Sequence, residues 1–204
     1  MLVRLSALVL EAGAEPGEGR REHGHSPAGI TIPPMPTIFT HPALTLLKPW
    51  FPRVPSRAIA AGIVASVLPD ADTIGFALGI PYGSTFGHRG FTHSILFALL
   101  VATLGTWLLR AGSNRSVTFT FLFLCAISHP ILDAFTNGGR GIAFFSPFSN
   151  HRYFFPWRPI DVSPIGVRFF SDRGLHVITS ELIWVWAPCA VLGLAGWLHA
   201  RKTS

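Results

Sequence analysis

The stretch GHRGFTHSILFALL, residues 87–100, sets His88, Arg89 and His93 directly ahead of an apolar run. Two imidazoles and a guanidinium at the edge of an oily segment offer either metal ligands or an anion fork. Gly87 and Gly90 frame His88 and Arg89 and predict tight turns, and Thr92 is placed to cap the helix that follows. His93 then falls in the first helical turn. The positive end of the helix dipole there keeps an imidazole neutral, which is the form that ligates metal. The same surroundings suit a phosphate gripped by Arg89. Contact with lipid headgroups would explain the arginine well and the paired histidines poorly.

Two further pairs have the same character. In SHPILD, His129 and Asp133 are four residues apart, so a helix puts both on one face. One imidazole nitrogen and one carboxylate oxygen at that spacing suit zinc or manganese; a helix-end histidine paired with its own aspartate is the other reading. In LPDAD, Asp70 and Asp72 stand two apart, on one side of an extended backbone. They are either paired ligands or an Asp-rich turn. His41 follows Thr40 at the opening of an amphipathic stretch. Past residue 34 only six acids remain: Asp70, Asp72, Asp133, Asp161, Asp172 and Glu181. A charge beside lipid costs about 2.5–3.5 kcal/mol even on a lenient scale, so acids in apolar runs need a compensating partner. For Glu181 the two partners on offer are Arg173 and the metal site.

The elements that must position these groups are membrane helices. Of 204 residues 49% are hydrophobic and only 13% charged, with mean hydropathy +0.44. The net charge of +6 comes from basic residues scattered singly between apolar runs, which argues against nucleic acid. Cys125 and Cys189 lie inside apolar runs and read as buried thiols; no spacing fits a zinc ribbon. Four stretches can be buried in lipid: 57–80, 91–109, 117–135 and 176–198. The first is broken by Pro69 and two aspartates and reads as a half-span that turns back. A short polar turn, 110–116, joins antiparallel helices, and the long loop 136–175 carries an interfacial aromatic belt in FFSPFSNHRYFFPW. Seven basic residues on one side against six on the other leave the orientation open. Residues 1–34 hold four of the ten acids and read as a tail or an upstream start, leaving 35–204 as one domain.

THPAL near Met35, then PDAD, GHRGFTHS, SHPILD followed by NGG, FFSPFSNHRYFFPWRPI and SPIG together resemble the membrane-bound metal-dependent hydrolases, bacterial inner-membrane proteins with a LexA-regulated branch. The match runs from about Met35 to about residue 198. It implies that His41, Asp70, Asp72, His88, His93, His129 and Asp133 gather around one or two divalent ions, zinc above all. The pattern is more loosely similar to zinc-dependent phospholipase C. The expectation is therefore an all-α, multi-pass inner-membrane hydrolase acting on a phosphoester or lipid headgroup through metal-activated water. Asp72 and His88 would move the proton. Arg89, with Arg140 or Arg152, would neutralise the developing phosphoryl charge. The competing class is a non-catalytic metal-binding or ion-moving membrane protein. Lipids and a small or lipidic substrate are the expected partners, and the sequence does not set the oligomeric state.

Overall fold

The computed structural model describes residues 37–163 and 171–203; the tail expected at 1–34 lies outside them. Among the described residues the protein is all-helical. The only pairing of extended backbone is two isolated bridges, Thr136 with Ile160 and Ile142 with Tyr153. The chain runs through a 3-10 segment, His41–Trp50, and then four apolar helices: α1 (Arg57–Ala77), α2 (Ile95–Leu108), α3 (Arg115–Ala134) and α4 (Asp172–Lys202). By length and composition α1, α3 and α4 can cross a membrane, and α2 is shorter. The expectation of about four spans is close.

Two boundaries depart from the sequence reading. α1 does not turn back at Pro69. A 3-10 turn, Leu68–Thr73, carries it on, and Pro69 sits at the start of that turn, where its missing N–H has no partner to lose. α2 starts later than expected because Ser94, not Thr92, is its cap: the Ser94 hydroxyl accepts from the Phe97 N–H at 3.0 Å. His93 therefore lies in a separate 3-10 turn, Phe91–His93, outside the first turn of α2.

His41–Trp50 was not among the expected spans, yet it packs lengthwise on α4. Glycines allow the approach: a Cβ on Gly193 would stand 2.6 Å from the Leu46 carbonyl oxygen, and one on Gly196 2.7 Å from the Trp50 ring. Trp50 also donates its indole N–H to the Leu192 carbonyl at 2.8 Å. Between α1, α2 and α3 a core forms from Val54, Ala58, Ala102, Phe121, Leu122 and Cys125, and a second from Ala65, Ala98, Ala126 and Ile127 leads towards the histidines. Both cysteines are buried free thiols. Outward positions such as Leu100, Leu104 and Leu192 are exposed, as lipid-facing residues of a spanning bundle are. The loop after α3 folds back over one end of the bundle. Phe148 and Trp157 project from it, in keeping with an interfacial belt.

Candidate metal centre

The GHRG turn, α1, α3 and the 3-10 segment meet at the end of the bundle where α1 passes Asp70 and α3 ends. His41, His88, His93, His129 and Asp133 are all 0–1% exposed there, on four stretches of chain that converge. Local backbone explains how. The positive φ in GHRG falls on Arg89, at 61°, rather than on its glycines. The glycines serve close approach instead. A Cβ on Gly87 would lie 2.2 Å from the Pro81 carbonyl oxygen, and one on Gly90 2.4 Å from that of Thr85.

Three of the four imidazoles are oriented from behind. His129 Nδ1 donates to the Ser66 carbonyl at 2.7 Å, so Nε2 carries the lone pair. His93 Nδ1 faces Asp72 Oδ2 at 3.2 Å, and His88 Nδ1 faces Asp72 Oδ1 at 2.7 Å. One carboxylate thus holds two rings and directs both Nε2 atoms away from itself. Asp72 is further fixed by the Thr92 hydroxyl and the Arg89 N–H, and it belongs to none of the convergent ligand groups. Asp72, expected as a ligand and base, thus sits behind the rings with its oxygens engaged by the imidazoles, Thr92 and the Arg89 N–H.

In front, four acceptor atoms converge. His93 Nε2 and His129 Nε2 are 3.1 Å apart. Asp70 Oδ1 lies 3.7 Å from the first and 3.3 Å from the second, and Asp133 Oδ2 lies 3.5 Å and 4.0 Å away. Ligands of a tetrahedral zinc at bonds of about 2.0–2.2 Å stand about 3.3–3.6 Å apart, so the set has the size of a metal's coordination sphere. Overlapping groups bring in His41 beside Asp70 and His129, and His88 beside Asp70 and His93. The His41 ring stacks on His129 with centroids 3.7 Å apart. Burial pushes the His41 imidazole down to about 3, which keeps it neutral and fit to ligate. Burial also opposes charge on His93, but Asp133, Asp70 and Asp72 outweigh it and raise that ring well above its ordinary value. His93 is thus held by carboxylate neighbours rather than by the expected helix dipole.

The residues fit a dication on two further grounds. His41 Nδ1 and Nε2, His88 Nε2 and Asp133 Oδ1 are buried with no hydrogen-bond partner, an arrangement that costs free energy unless something fills it. Three carboxylates, Asp70, Asp72 and Asp133, face one permanent cation, Arg89, so the remaining negative charge is offset by a proton on His93 or by a metal ion.

The arginines do other work than expected. Arg89 is fully buried. Its Nε lies 3.0 Å from Asp133 Oδ2, and one terminal nitrogen donates to the Gly138 carbonyl at 2.8 Å. It positions Asp133 and pins the loop after α3. It is not an open anion fork, because protein groups already occupy the guanidinium. Gly139 is needed for this: it has φ 86°, and a Cβ there would stand 2.2 Å from Arg89 Nη1. Arg152 is likewise committed to backbone carbonyls, donating to Tyr82 at 2.9 Å and to His88 at 3.1 Å. Arg140 remains exposed, its guanidinium 5.4 Å over the Tyr82 ring, which in turn meets the His88 ring edge-on at 5.3 Å. Glu181 takes neither expected partner. It accepts from the Thr37 N–H at 2.7 Å and from the Thr37 hydroxyl, tying the chain ahead of His41 to α4. Thr37 is four residues before His41, and only the unexplained buried acid on α4 hinted at such a tie.

Fold and site together define a multi-pass helical membrane protein with a buried cluster of histidines and aspartates at one end. The chain belongs to the YdjM inner membrane protein family, whose profile matches residues 19–202. It is 42% identical over 172 residues to the inner membrane protein YbcI of Escherichia coli (strain K12), covering 80% of this chain and 98% of that one. No solved structure matches. The protein is a multi-pass protein of the bacterial inner membrane.

Proposed function

We propose that the protein is a metal-dependent hydrolase of the inner membrane acting on a phosphoester or headgroup bond of a lipidic substrate. One observation carries the reading: two imidazoles, each with Nδ1 committed as a donor, aim their Nε2 atoms at each other at 3.1 Å, with two carboxylates alongside. A cation between them satisfies all four atoms at once, in place of the proton that the carboxylates favour on His93. His93, His129, Asp70 and Asp133 would hold the ion, and His41 would complete the set or, with His88, hold a second one. A divalent ion, zinc by its donor set, lowers the pKa of water towards ~7 and polarises the attacked group.

With a single ion bound, His88 is the residue left to accept a proton: its Nε2 is unpartnered, and Asp72 behind Nδ1 fixes the tautomer that leaves that atom as the acceptor. Of the cluster, Asp70 has the most exposed side chain, at 14%. It lines a groove of about 420 Å³ with Ile38, Val64, Val67, Leu68 and Ala71. That groove is apolar and lies on a helix long enough to span the bilayer, which favours a substrate with hydrocarbon attached. Arg140 is the exposed cation left to meet an anionic group.

The test uses detergent-purified protein. About one or two equivalents of zinc are expected, lost in His129→Ala. His88→Ala is expected to cut hydrolysis of a phosphodiester lipid reporter by about 10²–10⁴-fold. Full metal content with no turnover across phosphomono- and phosphodiester lipids would leave the non-catalytic reading, which the near-complete burial of the histidines favours.

A further inference from the structure

The end of the bundle away from the histidines carries a groove of about 610 Å³ between the close of α2 and the opening of α3. Trp107, Arg110, Arg115, Ser116 and Phe119 line it. Three threonines of its wall, Thr103, Thr106 and Thr120, already donate their hydroxyls to carbonyls four residues back in their own helices. Charge recognition in the groove therefore falls to the two guanidiniums. Neither has an acidic partner among the described residues.

The surroundings are basic as well. Arg57 donates to the Leu109 carbonyl, so α1 begins where α2 ends. Trp50 stacks on His199, which brings the close of α4, with Arg201 and Lys202, to the end of the 3-10 segment. The described acids lie elsewhere: Asp70, Asp72 and Asp133 in the histidine cluster, Asp161 against Asn137 beyond α3, Asp172 at the start of α4, and Glu181 on α4 against Thr37. The groove is bordered by hydrocarbon, with Trp107 72%, Leu108 62% and Leu104 54% exposed. An exposed tryptophan beside two arginines, at the end of an apolar helix, is the composition of a membrane–water interface.

We propose that this groove binds an anionic phospholipid, with Arg110 and Arg115 taking the headgroup phosphate and Trp107 and Phe119 flanking the first carbons of its chains. Free inorganic phosphate satisfies the guanidiniums but leaves the apolar wall uncovered, and a zwitterionic lipid such as phosphatidylcholine covers the wall but sets its own ammonium against the two cations. An anionic lipid does both. The site does not depend on the hydrolytic reading of the metal centre.

Native mass spectrometry of the full chain in neutral detergent, titrated with phosphatidylglycerol or phosphatidylcholine, tests this. Phosphatidylglycerol is expected to be retained and phosphatidylcholine not. Arg110→Gln with Arg115→Gln is expected to weaken retention roughly 30-fold, two cations at the usual strength of a basic residue near an anionic surface. The control pair Arg201→Gln with Lys202→Gln, at the same end, is expected to change it less than about twofold. Trp107→Ala keeps both charges and is expected to weaken retention a few-fold, so the proposal stays testable if the arginine pair fails to fold. Equal loss in both double variants would show diffuse charge attraction and overturn the site. So would equal binding of phosphatidylcholine, or displacement of the lipid by millimolar inorganic phosphate.

Discussion

α3 carries both ends of the molecule within one helix, and the two ends treat polar groups in opposite ways. At its start, Arg115, Ser116 and Thr120 are exposed; at its end, Ser128, His129 and Asp133 are buried. The composition of the helix does not cause this. The GHRG turn and the loop after α3 cover the last turns, whereas at the first turns the core takes Val117 and Thr118 and the short Gly112–Asn114 connection leaves Arg115, Ser116 and Thr120 open. Where cover excludes water, each polar atom needs a partner from the protein or from a bound group, and the buried histidine nitrogens without one carry the metal proposal. Where cover is missing, water and headgroups satisfy the charges, and recognition rests on chemical class rather than fixed geometry.

That contrast is open to attack from either end. The largest effect is expected from breaking the buried ion pair. Arg89→Met leaves Asp133 uncompensated and is expected to destabilise the fold by about 3–5 kcal/mol. Arg89→Lys is expected to rescue little, because the planar fork is what reaches Asp133 and Gly138 together; thermal unfolding in detergent reads both. Chelation comes next: removing the metal is expected to cost about 4 kcal/mol when the wild type was held at a thousand times Kd. Metal affinity is also expected to fall as pH drops, starting above the ordinary imidazole range, because the raised His93 ring holds a proton that competes with the ion. Asp72→Asn keeps the shape of the side chain but removes the charge behind His88 and His93. It is expected to weaken zinc about 10–100-fold in a competitive chelator titration. Gln at Arg110 and Arg115 is expected to shift stability by less than about 0.5 kcal/mol and leave zinc content unchanged. A large loss of stability there would erase the distinction between the two ends.

The membrane class and the helical spans were legible because apolar runs of this length admit few other folds. The seven residues that the resemblance implies stood out unevenly: acids are few past residue 34, so those in apolar runs are conspicuous, while His41 had little signal beyond the THPAL motif. Other features had weaker signals. Thr92 is as good a cap as Ser94 by residue type, and only the pull of Asp72 on its hydroxyl decides between them. Pro69 marks a break on paper, but a 3-10 turn absorbs it. Arg89 looked like an anion fork because sequence shows its charge and not its direction. The tie from Glu181 to Thr37 spans 144 residues and had no local signature beyond a buried acid lacking an obvious mate.

The sequence by itself determined that this is a helical inner-membrane chain and which side chains are too costly beside lipid to be idle, since transfer energies depend on residue type alone. Only the tertiary structure decided their roles: Asp72 behind the rings, Asp70 and Asp133 in front, Arg89 turned inward. Those roles depend on distances of about 3 Å between side chains from separate segments, and such distances exist only once the segments have packed.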